Sequence, residues 1–226
     1  MKKVATIIIA LITICILVAC NPIGSKLKLE EKVSYFETHL YTGESGNFAV
    51  NITRGQKEDI FIADGSVGNL KNFSVLKVTP LSMDLFNKQY CYKVIGTSGE
   101  LTGDLAKDMF GVSFSKEIEN IDSIGDLMSV TITSTTINEV IELNNRLKDM
   151  ISWEDVLEIA GTEFKDKIAT EVDAEVFNRE IHIKFINNRT DRNSPYYWYI
   201  ALVASKTDYW ALLLDPETGE IISKKS

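Results

Sequence analysis

The sequence predicts an all-β N-terminal domain, an antiparallel sandwich or small barrel, followed by a small α+β domain with a helix packed on an antiparallel sheet. Two observations support this class. From residue 33 to 135, short runs of alternating apolar and polar residues are separated by glycine-bearing turns, a pattern typical of antiparallel sheets. From residue 136, apolar residues recur first at helical spacing and then in alternation, which predicts helices followed by strands.

The clearest N-terminal strand is GNFAVNIT, residues 46–53. Phe48, Val50 and Ile52 share one face of an extended chain because successive side chains point to opposite sides. Polar turn sequences lie between this and other candidate strands, at residues 42–46, 54–56, 64–66 and 96–99. Their spacing predicts a domain over residues 33–135 but not its strand order.

The pattern changes near residue 136, where we place the domain boundary. Within residues 137–147 the apolar positions share a helical face, which predicts a helical connection. Ser152 then precedes a second apolar stripe and suits a helix N-cap, with Asp155 favourable in the first turn. Candidate strands follow at residues 175–187, 196–204, 209–214 and 220–223, which completes an α+β domain over residues 136–226.

Residues 1–19 predict a secretory signal peptide. Lys2 and Lys3 precede an uncharged apolar run, and that run is short for a membrane-spanning helix. An uncleaved anchor helix is the alternative interpretation.

The sequence Leu17-Val18-Ala19-Cys20 resembles the lipobox of bacterial lipoproteins. In that family the peptide is cut before the cysteine, whose thiol carries a diacylglyceryl group. The resemblance implies that Cys20 is the lipidated N-terminus and that residues 20–32 form a tether. It also implies a lipoprotein of the cell envelope, anchored in the cell membrane through acyl chains and folded on the extracytoplasmic side.

Charge and cysteine usage limit the partners. The chain has 24 Lys plus Arg against 32 Asp plus Glu, a formal net charge of −8, and no basic face of the kind that nucleic acids require. With Cys15 in the leader and Cys20 lipidated, Cys91 is alone and no intrachain disulfide forms. Cys91 lies in a strand-like run, and we predict it to be buried.

The chain from about Met150 to its end resembles a PepSY-type domain. The matching features are the capped helix Ser152–Lys165, with Ala160 inside it, and the turn DPETGE, residues 215–220, before a last short strand. The resemblance implies a small, non-catalytic extracytoplasmic α+β module. Such modules are associated with peptidase propeptides and envelope proteins, which implies a role in regulating a peptidase.

The segment from Tyr196 to Lys225 concentrates aromatic residues. Six of them form a candidate binding surface: Tyr196, Tyr197, Trp198, Tyr199, Tyr209 and Trp210. In a strand, Tyr197 and Tyr199 face one side while Tyr196 and Trp198 face the other. One side is expected to pack under the helix, and the other either binds a ligand or closes a second core. Tyrosine hydroxyls tolerate a half-buried sheet, which favours the second alternative.

Signatures of catalysis and of metal binding are missing. His39 and His182 are isolated in the sequence, and no nucleophile elbow, clustered metal ligands or phosphate-binding loop is present. The sequence therefore predicts neither an enzyme nor a cofactor, but a binding module for a peptide or an envelope protein. The alternatives are a cell-envelope enzyme of unrecognised type that uses carboxylates and a structural spacer subunit.

Overall fold

The structure is a computed structural model that describes residues 27–60, 65–109, 111–187 and 194–226. These residues form fourteen strands in two sheets, two α-helices and three short 3₁₀ turns. The strands are β1 (Val33–Glu44), β2 (Phe48–Glu58), β3 (Leu70–Pro80), β4 (Cys91–Gly96), β5 (Gly99–Asp104), β6 (Ala106–Lys107), β7 (Phe114–Glu117), β8 (Leu127–Thr133), β9 (Asn138–Glu142), β10 (Asn144–Asn145), β11 (Glu180–Asn187), β12 (Tyr196–Val203), β13 (Tyr209–Leu214) and β14 (Ile221–Lys225). The helices are α1 (Trp153–Glu163) and α2 (Lys165–Asp173).

A ten-stranded sheet runs through both halves of the chain in the order β14-β13-β12-β11-β1-β2-β3-β7-β6, and β10 also pairs with β1. All its pairings are antiparallel except that of β1 with β11, which is parallel, with Phe36 opposite Ile183. The second sheet has four antiparallel strands in the order β5-β4-β8-β9.

The predicted fold class is therefore wrong. An all-β sandwich or barrel followed by a separate α+β domain requires two independent sheets, one in each half. Instead β1 joins the C-terminal strands edge to edge, so the molecule is one large sheet-rich fold with two helices among the described residues. The boundary near residue 136 stays a prediction.

The helical connection predicted for residues 137–147 is also wrong. Residues 138–142 form β9, which pairs antiparallel with β8. In β9, Val140 is 61% exposed while its neighbour Ile141 is 1% exposed, the alternation of a half-buried strand. Both residues are β-branched, which favours a strand over a helix once a neighbouring strand is available.

One hydrophobic core lies between the two sheets. Its fully buried residues include Val50 and Leu76 from the large sheet and Val94 and Val130 from the small one. Gly55 in β2 permits a close approach at the rim of this region, because a Cβ there would lie 2.0 Å from the carbonyl oxygen of Phe36. This contact is next to the bulge in β1 between residues 37 and 39.

A second core lies beneath the helices. Val156, Leu157 and Ala160 of α1 pack on Ile183 and Ile200 of the large sheet. The predicted cap of α1 is confirmed. The Ser152 hydroxyl accepts from the Asp155 amide and the Asp155 carboxylate accepts from the Ser152 amide. In the part of the chain that the structure describes, no helix has the length and apolar character needed to cross a membrane.

Candidate functional site

The six aromatic residues of the predicted surface are divided between the two sides of the large sheet. Trp198 and Trp210 are 1% and 8% exposed and belong to the core under the helices. Tyr196 packs on the edge of that core, with its ring stacked on Phe185 at 5.1 Å between centroids. Tyr197, Tyr199 and Tyr209 are half-buried and lie on the opposite side of the sheet.

The buried tryptophans are held by polar contacts that give them structural roles. Trp198 Nε1 donates to the carbonyl oxygen of Ile151 at 3.1 Å. The Arg179 guanidinium lies 3.9 Å from the centroid of the Trp210 ring and forms ion pairs with Glu171 and Asp208. A ligand therefore has no access to either tryptophan without unpacking the core.

The three remaining tyrosines, Tyr197, Tyr199 and Tyr209, form what we call the tyrosine face. The face also contains Leu213 and Ile186. Strand register fixes this arrangement, because Tyr199 lies opposite Leu213 and Tyr197 lies opposite Ile186. Both helices contribute to the core on the other side of the sheet. The tyrosine face is consequently a mixed aromatic and aliphatic surface open to solvent.

Two lysines give this acidic protein a positive border along the tyrosine face. Lys225 Nζ lies 3.3 Å from the centroid of the Tyr209 ring, and Lys184 lies opposite Tyr199 in the register of β11 and β12. Burial raises the pKa of the Tyr199 hydroxyl, so it stays a neutral donor at physiological pH. The face thus offers hydroxyl donors, aromatic rings and positive charge.

Beside this face, a buried carboxylate stabilises the junction of β1 and β11. Glu37 is 8% exposed and accepts from the hydroxyl of Tyr35 at 2.9 Å and from the amide of Phe185 at 3.0 Å. Burial raises the pKa of Glu37, and these two donors together with the charge of Lys184 oppose the shift. Sequence reasoning missed Glu37. Its signal was a single acid inside the otherwise uncharged strand-like segment from Val33 to Leu40.

The tyrosine face ends at an open sheet edge. β14 is the last strand of the large sheet, and all five of its residues are exposed. Lys225 lies opposite Ala211 and contacts the tyrosine face. On the other side, Lys224 forms an ion pair with Glu163 at 2.6 Å. Within the described residues, the outer edge of β14 has no partner strand, so its backbone N–H and C=O groups are available.

A second open surface lies on the outer side of the small sheet, where a depression of about 640 Å³ is lined by residues of β4, β5, β8 and β9. Cys91 belongs to it, and its predicted burial is wrong. The register of β4 directs Tyr92 and Val94 into the core and leaves Cys91 exposed. The Cys91 thiol donates to Asp104 Oδ1 at 3.1 Å, and this hydrogen bond raises the pKa of the thiol.

Among the described ranges of the chain, no three His, Cys, Asp or Glu residues lie together in a geometry that holds a metal ion. A carboxylate enzyme requires two acids that face one cleft, and the lining of the depression contains one, Asp104. The leader and Cys20 lie outside the described residues. Comparison with protein-family models, with curated proteins and with solved structures finds no match to this chain.

Proposed function

We propose that this protein is a lipid-anchored binding module on the extracytoplasmic side of the cell membrane, and that it binds an extended segment of another polypeptide. One observation carries the proposal: three half-exposed tyrosines share an open sheet face that ends at an unpaired strand. The segment adds to the edge of β14 as a further strand.

Strand addition uses groups that β14 leaves available. Main-chain hydrogen bonds to an open edge supply affinity, and side chains that alternate above and below the sheet supply specificity. Side chains on one side of the added strand reach the border of the tyrosine face near Tyr209. Those on the other side lie towards Lys224 and Ile222, and Ile222 is 50% exposed.

Charge selects the segment. Lys225 stacks on Tyr209 on one side of the sheet, and Lys224 lies on the other side, where it pairs with Glu163. A segment with acidic side chains among apolar ones therefore complements both faces of the edge. A second copy of the chain is a poorer occupant, because the lysines of one β14 edge would repel those of the other. Regulation of a peptidase would use the same contact, with a segment of the peptidase as the added strand.

The lipid anchor rests on the lipobox-like sequence at residues 17–20. Replacing Cys20 with Ser removes the acceptor thiol. We expect Cys20→Ser to move the protein from the membrane fraction to the soluble fraction of fractionated cells. Unchanged fractionation together with a native mass that still includes Met1 would contradict the anchor and leave the binding proposal standing.

Peptide binding is tested with the full chain and two fluorescent probes, an acetylated octapeptide of alternating Glu and Val and a matched one of Lys and Val. We expect the acidic probe to bind and the basic probe to fail in fluorescence anisotropy titrations. The variant Tyr209→Ala should weaken binding by about tenfold or more, the effect of losing an aromatic anchor.

The matched control is Met83→Ala, which removes an apolar side chain that is 83% exposed and distant in sequence from the tyrosine face. We expect its affinity to equal that of the wild type. Equal binding of both probes, or full affinity in Tyr209→Ala, would show that the edge of β14 beside Tyr209 is not the binding site.

A further inference from the structure

The outer side of the small sheet presents two rows of polar side chains. Strand pairing places Thr102, Lys93 and Thr131 in one row, with Val140 beside Thr131. The next row contains Asp104, Cys91, Thr133 and Asn138. All of these residues line the open depression of about 640 Å³. We call this surface the threonine cleft.

Hydrogen-bonding groups in the threonine cleft are unused. The hydroxyls of Thr102, Thr131 and Thr133 and the amide of Asn138 make no hydrogen bond with any described residue. Thr131 is the least exposed of them at 8%, and its hydroxyl oxygen still reaches solvent. A bound molecule can therefore replace the water at these groups and take up their hydrogen bonds.

The charges of the cleft balance. Its lining contains one cation, Lys93, and one anion, Asp104. Lys93 is already paired with Glu100 at 3.5 Å, and Asp104 accepts from the Cys91 thiol. A strongly charged ligand would therefore face a like charge on one side of the cleft, whereas a neutral ligand faces none.

We propose that the threonine cleft binds a neutral oligosaccharide. Hydroxyl and amide groups both donate and accept, so they match the hydroxyls of a sugar, and the free carboxylate oxygen of Asp104 accepts from a further hydroxyl. Val140, 61% exposed, supplies an apolar contact for the C–H face of a sugar ring. The cleft is on a different sheet from the tyrosine face, so this site is independent of peptide binding.

Cys91 provides a direct readout, since its exposed thiol lies in the same row as Thr133 and Asn138. The full chain is alkylated with iodoacetamide, and the modification of Cys91 is followed over time by mass spectrometry of the peptide that contains it. The probes are maltotetraose and chitotetraose, with tetragalacturonic acid as an anionic comparison. We expect at least one neutral probe to slow the alkylation of Cys91 and the anionic probe to have no effect.

The variant Thr131→Val removes one hydroxyl and preserves the shape of the side chain. We expect this variant to bind the protecting saccharide about three- to tenfold more weakly, the effect of one lost hydrogen bond. Thr53→Val, on the large sheet, should leave protection unchanged. The proposal is overturned if neither neutral probe protects Cys91 or if the anionic probe protects it better. It is also overturned if the saccharide protects Cys91 equally well in Thr131→Val and in Thr53→Val.

Discussion

Arg179 shows how a single residue organises the C-terminal half. Its side chain is 5% exposed, its guanidinium donates to Glu171 and to Asp208, and one of its faces lies over the ring of Trp210. These contacts join α2, the start of β11 and the turn before β13. Because the charge is buried, each partner lost leaves part of it uncompensated.

We expect the cost of substitution to follow the burial of each partner. Arg179→Ala should lower the free energy of unfolding by about 3 kcal/mol, because it leaves Glu171 unpaired and exposes Trp210. Glu171→Gln should cost about 2 kcal/mol, and Asp208→Asn less than about 1 kcal/mol, because Asp208 is 60% exposed. Urea denaturation measures the free energy of unfolding of the three variants. An equal loss of stability in Asp208→Asn and Arg179→Ala would contradict this order.

His182 should make the fold sensitive to acid. Burial lowers the pKa of His182 to about 4, and the charge of Lys184 acts in the same direction. The unfolded chain binds a proton at about pH 6.5, whereas the folded protein does not bind it until about pH 4. The free energy of unfolding therefore falls as the pH drops through this window.

Two variants separate the groups that titrate near this position. Between about pH 7 and about pH 5, His182→Gln should lose less stability than the wild type. Glu37→Gln should lose more stability than the wild type. In the wild type, the raised pKa of Glu37 lets the folded state take up a proton before the unfolded state, and this uptake offsets part of the loss caused by His182. Urea denaturation at the two pH values gives the change in the free energy of unfolding for the wild type and both variants. Identical changes in all three proteins would show that neither His182 nor Glu37 causes the pH dependence.

At the scale of the element, the start of α1 depends on its capping box. Ser152→Ala should destabilise the protein by about 1 kcal/mol, since the amide of Asp155 loses its acceptor. Thr162→Ala, an exposed substitution in the same helix, should be neutral or slightly stabilising, because alanine has the higher helix propensity. Thermal denaturation followed by circular dichroism measures both. An equal loss of stability in Thr162→Ala would show that the effect comes from placing alanine in this helix and not from the lost cap.

The strand pair β1–β2 depends on Gly55. An alanine Cβ there would meet the backbone of Phe36 at 2.0 Å and that of Glu37 at 2.9 Å. We expect Gly55→Ala to cost about 1–3 kcal/mol, as overpacking against the backbone usually does. Gly46→Ala is the control, because no atom lies within 4 Å of its added Cβ. Chemical denaturation distinguishes them, and two equal effects would show that the close approach is not what limits this position.

Local signals predicted local structure well and pairing poorly. The cap at Ser152 and the two-sided alternation at residues 196–200 were readable, because both depend on neighbours in sequence. The orientation of Cys91 was missed, although the charged Lys93 lies on the same face of the strand, because the apolar Ile95 on that face obscured the alternation. Ile137, Val140 and Ile141 fit a helical spacing as well as a strand, and only the neighbouring β8 decides between them.

For the whole molecule, the decisive contact is between strands that are far apart in the sequence. β1 lies beside β11 and gives Val33, Phe36 and Leu40 to the core under the helices. No pattern within β1 or within β11 indicates that the two strands pair. The sequence therefore predicted two separate units where the structure has one continuous sheet. The small sheet likewise completes the other core and so presents the threonine cleft outward.

The boundary near residue 136 is tested by expressing residues 136–226 alone. This fragment lacks the strand that covers the edge of β11 and three residues of its own core. We expect it to show no sharp thermal transition by calorimetry. Addition of a peptide that spans residues 33–44 should raise its helicity. A cooperative transition without that peptide would support an autonomous C-terminal domain.

The position of β1 also decides how the molecule responds to tension. The strand that follows the N-terminal segment is in the middle of the large sheet, with neighbours on both sides. A pull applied at residue 27 against a bound partner at β14 would pass from β1 through β11, β12 and β13. The ladder between β1 and β11 is the shortest on this path and contains a bulge, so the centre of the sheet would yield before its outermost strands.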